Sequence, residues 1–343
     1  MIVEELSTAR GPEWDAWVDA HPAANVYHLR AWTEVAVRAY GMRAPLLVAR
    51  PHAGGPIVGA LPLFVVGNRL RRYVTNGLFG AYGPILATAP GVEHALLDRA
   101  LAVGREAGAG YLQLKTLGVE PPPGFVRRAR CVIATLPLAP DEDSLWKSVR
   151  GKVKRDVKTA QRSGLIARSG WGELGNFYDV LAENMHRLGT PIYGRPFVRE
   201  LVAALGPRAD VVTLALDGRT VSGALAIHYR GATTVPFASS RADAFKLCPN
   251  NLLYWEIMKR AVARGSTVLD FGRSPLDSGS LDFKLRWGAV ATPQPFDLAA
   301  VRGAAPALDP YTPGVRHLAR LWQRLPRPVA DALGPTLCGQ FLA

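Results

Sequence analysis

Within five residues, Asp270-Phe271-Gly272-Arg273-Ser274 supplies a carboxylate, a glycine, a guanidinium and a hydroxyl, and Phe283-Lys284 and Trp287-Gly288 follow after a short loop. Val268 to Phe271 is a β-favouring run after Gly265, so these polar groups fall where a strand opens into a loop, a frequent place for function. A second set closes a helix expected to start near Phe177: Asn184-Met185-His186-Arg187-Leu188-Gly189-Thr190-Pro191. Gly189 and Pro191 are stop signals. Arg187, followed by Tyr193 and Arg195, suits bidentate capture of a phosphate or carboxylate.

Several chemistries drop out. Asp270-Phe271-Gly272 matches the metal-binding triplet of protein kinases, but no glycine-rich phosphate loop, strand lysine or His-Arg-Asp loop accompanies it. Neither a Gly-x-Ser-x-Gly elbow nor a Walker sequence occurs. His28, His186 and His228 lack metal-ligand spacing, and Cys131, Cys248 and Cys338 lack paired spacing. No metal is therefore expected, and a reducing compartment is.

The 343 residues carry 41 Lys and Arg against 28 acids, a formal charge of +13 that favours anionic partners such as phosphates, tRNA or a lipid surface; DNA is not among the expected ones. Glu4 and Glu5 stand where a signal peptide carries positive charge, and no apolar run reaches membrane-spanning length, so a cytoplasmic protein is expected. A helix starting near Ser144 sets Lys147, Arg150, Lys154, Lys158 and Arg162 on one face and Leu145, Val149, Val153, Val157 and Ala160 on the other; Asp156 can pair with Lys152. The basic face is either a solvated surface or a polyanion track. After residue 310, Leu318, Leu321, Trp322 and Leu325 interleave with Arg316, Arg320 and Arg324, a pattern that fits either packing on the first domain or peripheral contact with the inner face of a membrane.

The chain also repeats itself. Gly59-Ala60-Leu61 and Gly223-Ala224-Leu225 each follow an apolar strand and a turn, at Gly54-Gly55 and Asp217-Gly218. Helical patterns through Leu96 to Leu101 and Leu252 to Ile257 then end at Gly108 and Gly265 before strands beginning at Tyr111 and Val268. Each half reads helix, helix, antiparallel strands, helix, strand, the order expected of a duplicated α/β (α+β) unit. Domains are expected at 1–140 and 141–300, joined through a linker at 137–143 and followed by a tail at 301–343.

With the duplication, Leu188-Gly189-Thr190-Pro191, Asp270 to Ser274 and Phe283-Lys284-x-x-Trp287-Gly288 in place, the chain resembles the FemAB-like branch of the GNAT acyltransferase superfamily over roughly residues 25 to 300. Within it, the resemblance is to the group associated with PEP-CTERM/exosortase and exopolysaccharide loci, overlapping the BioF2-like or CelD-like acetyltransferase domain. This implies tandem GNAT-like domains, each a mixed, mainly antiparallel sheet flanked by helices. It also implies transfer of an acyl or aminoacyl group to an amine of a sugar or peptidoglycan-type precursor, from acyl-CoA or aminoacyl-tRNA as co-substrate, with no tightly bound cofactor. By the same resemblance Lys284 lies at the transfer site, where it would stabilise the oxyanion formed as an amine attacks a carbonyl. Asn184 and Arg187 would contact a substrate phosphate. Arg273, Ser274 and Trp287 would orient substrate, and Asp270 would hold Arg273 or accept the amine proton. Two departures stand out: Trp32 is followed four positions on by Ala36 where peptidoglycan-bridge members carry lysine, and no Gln/Arg-x-x-Gly-x-Gly/Ala loop precedes the helix near Asn250. A rival reading keeps the fold as a noncatalytic polysaccharide-assembly or polyanion-binding protein.

Overall fold

A computed structural model describes residues 1–68, 71–117, 120–303 and 313–341, without side chains at 129–130, 313–316 and 340–341; residues 304–312 of the expected tail lie outside the described residues. The chain divides into two compact units, residues 1–130, 293–309 and 336–343, and residues 131–292 and 310–335. Both are discontinuous in sequence, because the chain passes between them more than once.

The first unit opens with β1 (Ile2–Glu5), α1 (Gly11–Ala20), α2 (Arg30–Tyr40) and β2 (Leu46–Arg50). There follow β3 (Gly59–Pro62), β4 (Phe64–Gly67), β5 (Arg72–Thr75), β6 (Leu86–Ala87), α3 (Val92–Ala107) and β7 (Tyr111–Lys115). β1, β2, β3 and β6 form one sheet, while β4 pairs with β5 in another. α3 ends at Gly108 in the left-handed conformation (φ 69°), which glycine adopts without steric penalty, and delivers β7 parallel to β5. Leu61, Leu63, Val74, Leu96, Leu112 and Leu114 are buried between helix and strands.

β8 (Val126–Pro137) carries the chain into the second unit. Then come α4 (Glu142–Ser148), α5 (Gly151–Arg162), β9 (Ile166–Ser169), α6 (Leu174–Arg187) and α7 (Arg195–Leu205). The helix expected from Ser144 to Arg162 is thus two helices, broken where Val149 and Arg150 adopt extended backbone before Gly151. Its apolar face is nevertheless as expected: Leu145, Val149, Val153, Val157 and Ala160 are buried. α6 starts three residues before Phe177.

Next are β10 (Ala209–Leu216), β11 (Arg219–Tyr229), β12 (Ala232–Ser240), α8 (Pro249–Ala263), β13 (Val268–Pro275), α9 (Gly279–Arg286) and β14 (Val290–Ala300). Asp217 and Gly218 take positive φ in the two-residue hairpin that pairs Leu216 with Arg219, the turn their types favour. Strand order in this unit runs β8-β13-β12-β11-β10-β9. β13 is parallel to β12 across α8, so the crossover of the first unit recurs. The end of β14 pairs with β7 in the first unit. Finally α10 (Pro313–Arg324) and α11 (Arg327–Phe341) close the chain.

Candidate active site

Two strands of the second unit part at the place where the polar residues gather. β12 and β13 are registered only over Ala232–Thr234 and Val268–Asp270; β12 then runs on to Ser240 beside β11, and β13 to Pro275 beside β8. Both strands are bent by irregularities. The β12–β11 register shifts between Leu225 and Ile227, and the β13–β8 register between Asp270 and Arg273. An extra residue on one strand increases its local twist and turns its groups in a new direction.

The Asp270-Phe271-Gly272 triplet builds the second of these. Gly272 has φ 73°, and its N–H donates to Asp270 Oδ1 at 2.7 Å. A Cβ there would stand 3.1 Å from the Val235 carbonyl of β12, so glycine is needed for conformation and for close approach. Phe271 points into the core, its ring centroid 4.9 Å from that of Tyr254 of α8 and tilted against it. The bulge leaves the carbonyls of Gly272 and Arg273 facing α9.

α9 answers them with Lys284. Ser278 caps the helix by accepting from the Leu281 N–H, and Phe283 and Trp287, one turn apart, fix its apolar side. The rings run Trp287, Phe283, Tyr254, Phe271, with adjacent centroids 6.5, 5.4 and 4.9 Å apart. Gly288, at φ 95°, follows as the helix stop, and the Trp287 and Ala289 N–H groups both return to the Lys284 carbonyl. The spacing Phe-Lys-x-x-Trp-Gly is therefore a short helix with an aromatic anchor and a glycine cap. Lys284 is only 6% exposed, and its Nζ donates to the Gly272 carbonyl at 2.8 Å and the Arg273 carbonyl at 3.1 Å. An ammonium has three N–H donors, so one is left for a ligand. Burial pushes its pKa down to about 8, against the pull of Asp270, with a smaller downward push from Arg273. Burial, then Asp270, raises the Tyr254 hydroxyl. Ser274 is buried with its Oγ 2.9 Å from Ser280 Oγ, and Arg273 is exposed. Trp287 is buried, and its Nε1 has no partner among the described residues.

The second set lies at the end of α6. Arg187 donates through Nε and Nη2 to Asn184 Oδ1 at 3.2 and 2.7 Å, and Asn184 Nδ2 donates to Ser239 Oγ on β12 at 3.1 Å. The two residues expected to contact a substrate phosphate thus bond each other, and Ser239, which sequence reasoning missed, holds them to β12. Tyr193 lies with its ring 4.9 Å from Phe237 of β12. Arg195 sits apart from Arg187: it pairs with Asp179 and lies 4.3 Å over Tyr178, bordering a cavity of about 230 Å³ with Arg199 and Leu174. β12 is thus the common rail, touching Gly272 at Val235, Tyr193 at Phe237 and Asn184 at Ser239. The four steps of strand from Val235 to Ser239 span on the order of 13 Å, which suits an extended substrate better than a small ion.

Beyond Ser240 the segment leading into α8 is a 3₁₀ turn, Ala242–Leu247. The N–H groups of Ala244, Cys248 and Asn251 donate to the carbonyls of Arg241, Phe245 and Cys248, and Pro249 has none to offer. A buried hydroxyl chain, Ser222 to Ser240 to Asn250, ties this turn to β11 and β12. Three backbone donors of this turn are thereby already committed. Along α4 and α5, by contrast, no acidic side chain pairs with Lys147, Arg150, Lys152, Lys154, Arg155, Lys158 or Arg162 among the described residues, and Asp156 does not bond Lys152. Arg150 Nη1 donates to the Leu285 carbonyl at 3.0 Å, so this cationic row begins against the helix that carries Lys284. No cluster of metal-ligating side chains occurs among the described residues.

A parallel strand pair crossed over by a helix recurs in both halves of the chain, which is the architecture of a tandem GNAT protein. Residues 147–285, all within the second unit, match the model of the acetyltransferase (GNAT) domain. Among solved structures the chain is similar to FemX, at 16% identity and a TM-score of 0.66, covering 87% of this chain and 97% of that one. It is similar to L-PGS from Bacillus licheniformis at 13% identity and a TM-score of 0.57, covering 95% and 100%, and to a tandem GNAT protein of the clavulanic acid biosynthesis pathway at 12% identity and a TM-score of 0.57, covering 88% and 99%. Identities this low establish the fold. No curated protein sequence matches the chain.

Proposed function

We propose that the second unit transfers an acyl or aminoacyl group to an amine of a cell-envelope or exopolysaccharide precursor. The observation that carries this reading is Lys284: a buried ammonium, fixed by two carbonyls at the opening between β12 and β13, with one N–H uncommitted. The amine attacks the donor's carbonyl carbon, the C=O π electrons move onto the carbonyl oxygen, and Lys284 donates to that oxyanion. The tetrahedral adduct then collapses, the new C–N bond remains, and the alcohol or thiol leaves with the proton lost by the amine. A preorganised donor of this kind is worth about 3 to 4 kcal/mol in the transition state. Arg187, oriented by Asn184, holds a phosphate of one substrate. Asp270, Arg273, Ser274, Tyr193, Arg195 and Trp287 shape the walls on either side.

For the donor, the closed turn before α8 and the unpaired row on α4 and α5 favour aminoacyl-tRNA, whose phosphate backbone can follow that row. Acyl-CoA is the second reading, favoured by the first turn of α8, which holds no acidic residue and so leaves the positive helix end open to an anion. Thermal unfolding with coenzyme A, a charged tRNA mixture and a nucleotide sugar decides between them, since only a ligand of the folded state raises the midpoint. A shift with charged tRNA alone supports the first donor. A shift with coenzyme A alone supports the second, and no shift with either removes both. A binding protein that has lost turnover would show a ligand shift with no product in mass spectra.

A further inference from the structure

The structure assigns a second role to α10: it forms, with the start of α11 and the end of α6, a membrane-docking surface for anionic lipid. α10 is anchored to the second unit by one side. Gln323 Nε2 donates to the Arg187 carbonyl at 2.9 Å, the Leu325 carbonyl lies 3.0 Å from His186 Nε2, and Trp322 is buried. At Gly189 a Cβ would come 2.6 Å from the Ala319 carbonyl, so the helix packs directly on that glycine. With 3.6 residues per turn, Leu318 and Leu321 fall along one outer edge and Arg320 and Arg324 along the other. Leu318 is 65% exposed and Leu321 46%.

The same character continues around this helix. Leu188, next to the packed Gly189, and Phe245, under the Arg187 guanidinium, are exposed, as are Val329 and Leu333 one turn apart on α11. Arg320 and Arg324 have no ion pair among the described residues, and Arg327 pairs with Glu183 and Asp331. Leucines that no core covers, edged by unpaired guanidiniums, complement a bilayer surface bearing anionic headgroups: the aliphatic groups enter the headgroup boundary and the arginines bind phosphate. No described helix is long and apolar enough to cross a membrane, so the helix lies on the surface. This docking would bring Asn184 and Arg187 near the lipid face. It rests on the packing of α10 and not on the transfer chemistry.

The test is cosedimentation of the full chain with vesicles of phosphatidylcholine alone and of phosphatidylcholine mixed with phosphatidylglycerol, alongside the variants Leu318→Glu/Leu321→Glu and Arg320→Glu/Arg324→Glu. Because all four side chains are exposed, both variants should keep the wild-type melting midpoint. Binding to the mixed vesicles only, lost by the leucine variant and lowered roughly thirtyfold by the arginine variant, is the expected result. Equal binding by wild type and leucine variant overturns the assignment, and so does the absence of binding to anionic vesicles. A concentration-dependent dimer that the leucine variant dissolves would assign the face to a second copy of the chain instead. None of these readouts uses turnover, so the result is separable from the fate of the transfer reaction.

Discussion

Replacing Lys284 by methionine should slow transfer sharply while changing stability in a manner that depends on pH. In the folded chain the ammonium pKa is lowered from 10.5 to about 8, burial being the main cause. The unfolded chain therefore binds more protons than the folded one between about pH 8 and 10.5, and stability must rise with pH through that window. At neutral pH the buried charge destabilises the fold by roughly 3 kcal/mol relative to the neutral amine. Methionine removes that penalty but leaves the Gly272 and Arg273 carbonyls without a donor, which costs about 1 to 3 kcal/mol each when a group is buried. The two effects nearly offset at pH 7, so the variant should fold. The informative quantity is the difference in unfolding free energy, wild type minus Lys284→Met, from urea titrations at pH 7 and pH 10.5: it should grow by about 3 kcal/mol. Other groups titrate alike in both proteins and cancel. Turnover should fall by about 10²–10³ in kcat, the usual loss for one oxyanion donor. If the ammonium is the active form, wild-type kcat should decline above about pH 8, and Lys284→Arg should lack that decline because guanidinium stays charged. A free-energy difference that does not change with pH would refute the buried, depressed lysine, and a rate that climbs through pH 8 would make the amine a base instead of a donor.

Gly272→Ala combines a left-handed φ with a Cβ 3.1 Å from the Val235 carbonyl; circular-dichroism melts should show a loss of about 1 to 2 kcal/mol, with a larger relative loss of kcat because the Lys284 acceptors move. Arg187→Ala should raise the KM of the phosphate-bearing substrate more than it lowers kcat, since the contact is made in ground and transition states alike. Lys152→Glu/Arg155→Glu/Lys158→Glu should weaken charged-tRNA binding and reduce the slope of log K against log salt by roughly 2 to 3 in filter-binding titrations, about one for each lost phosphate contact; an unchanged slope would remove α5 from the donor track.

Local signals in the sequence led to most of this site, and side-chain partners chosen at long range hid the rest. Asp217-Gly218, Gly108 and Gly265 mark turns and stops because their backbone requirements are local. Asn184 and Arg187 meet because three positions on a helix are one turn. Phe283, Lys284 and Trp287 likewise declare a short helix with one apolar edge. What Asp270 does with its Oδ1 was not legible: the bulge exists only because β13 must pair with β8 at a shifted register, and that pairing joins residues more than a hundred positions apart. Arg195 reads like a free anion binder until Asp179 appears one helix away. Periodicity alone joined α4 and α5 into one helix, since the apolar spacing continues across Val149 and Arg150 even though the backbone does not. Ser239 gave no signal, its neighbours being ordinary strand residues.

Duplication bears on why the proposed chemistry would fall to one unit. Thr75 opposite Gln113 in the first unit corresponds to Thr234 opposite Asp270 in the second, each the last registered pair of a parallel crossover. Past that pair the first unit laces its strands shut. Asn76 Oδ1 accepts from the Lys115 N–H at 2.7 Å, Asn76 Nδ2 donates to the Gly83 carbonyl at 3.1 Å, and the Gly83 N–H donates to the Lys115 carbonyl at 3.0 Å. Lys115 is itself buried, with its Nζ on the Gly77 carbonyl at 2.7 Å. A buried lysine on a glycine carbonyl thus occurs in both copies, but in the first it holds the loop 76–83 across the place where the second copy is open. Backbone groups already bonded to one another offer nothing to a reacting carbonyl, because desolvating them again for a ligand returns no net hydrogen bond. On the proposed reading the first unit is therefore a scaffold, its own loop filling the equivalent place, and the transfer falls to the second, where β12, bent by its bulge, continues beside β11 and Lys284 sits on the β13 bulge.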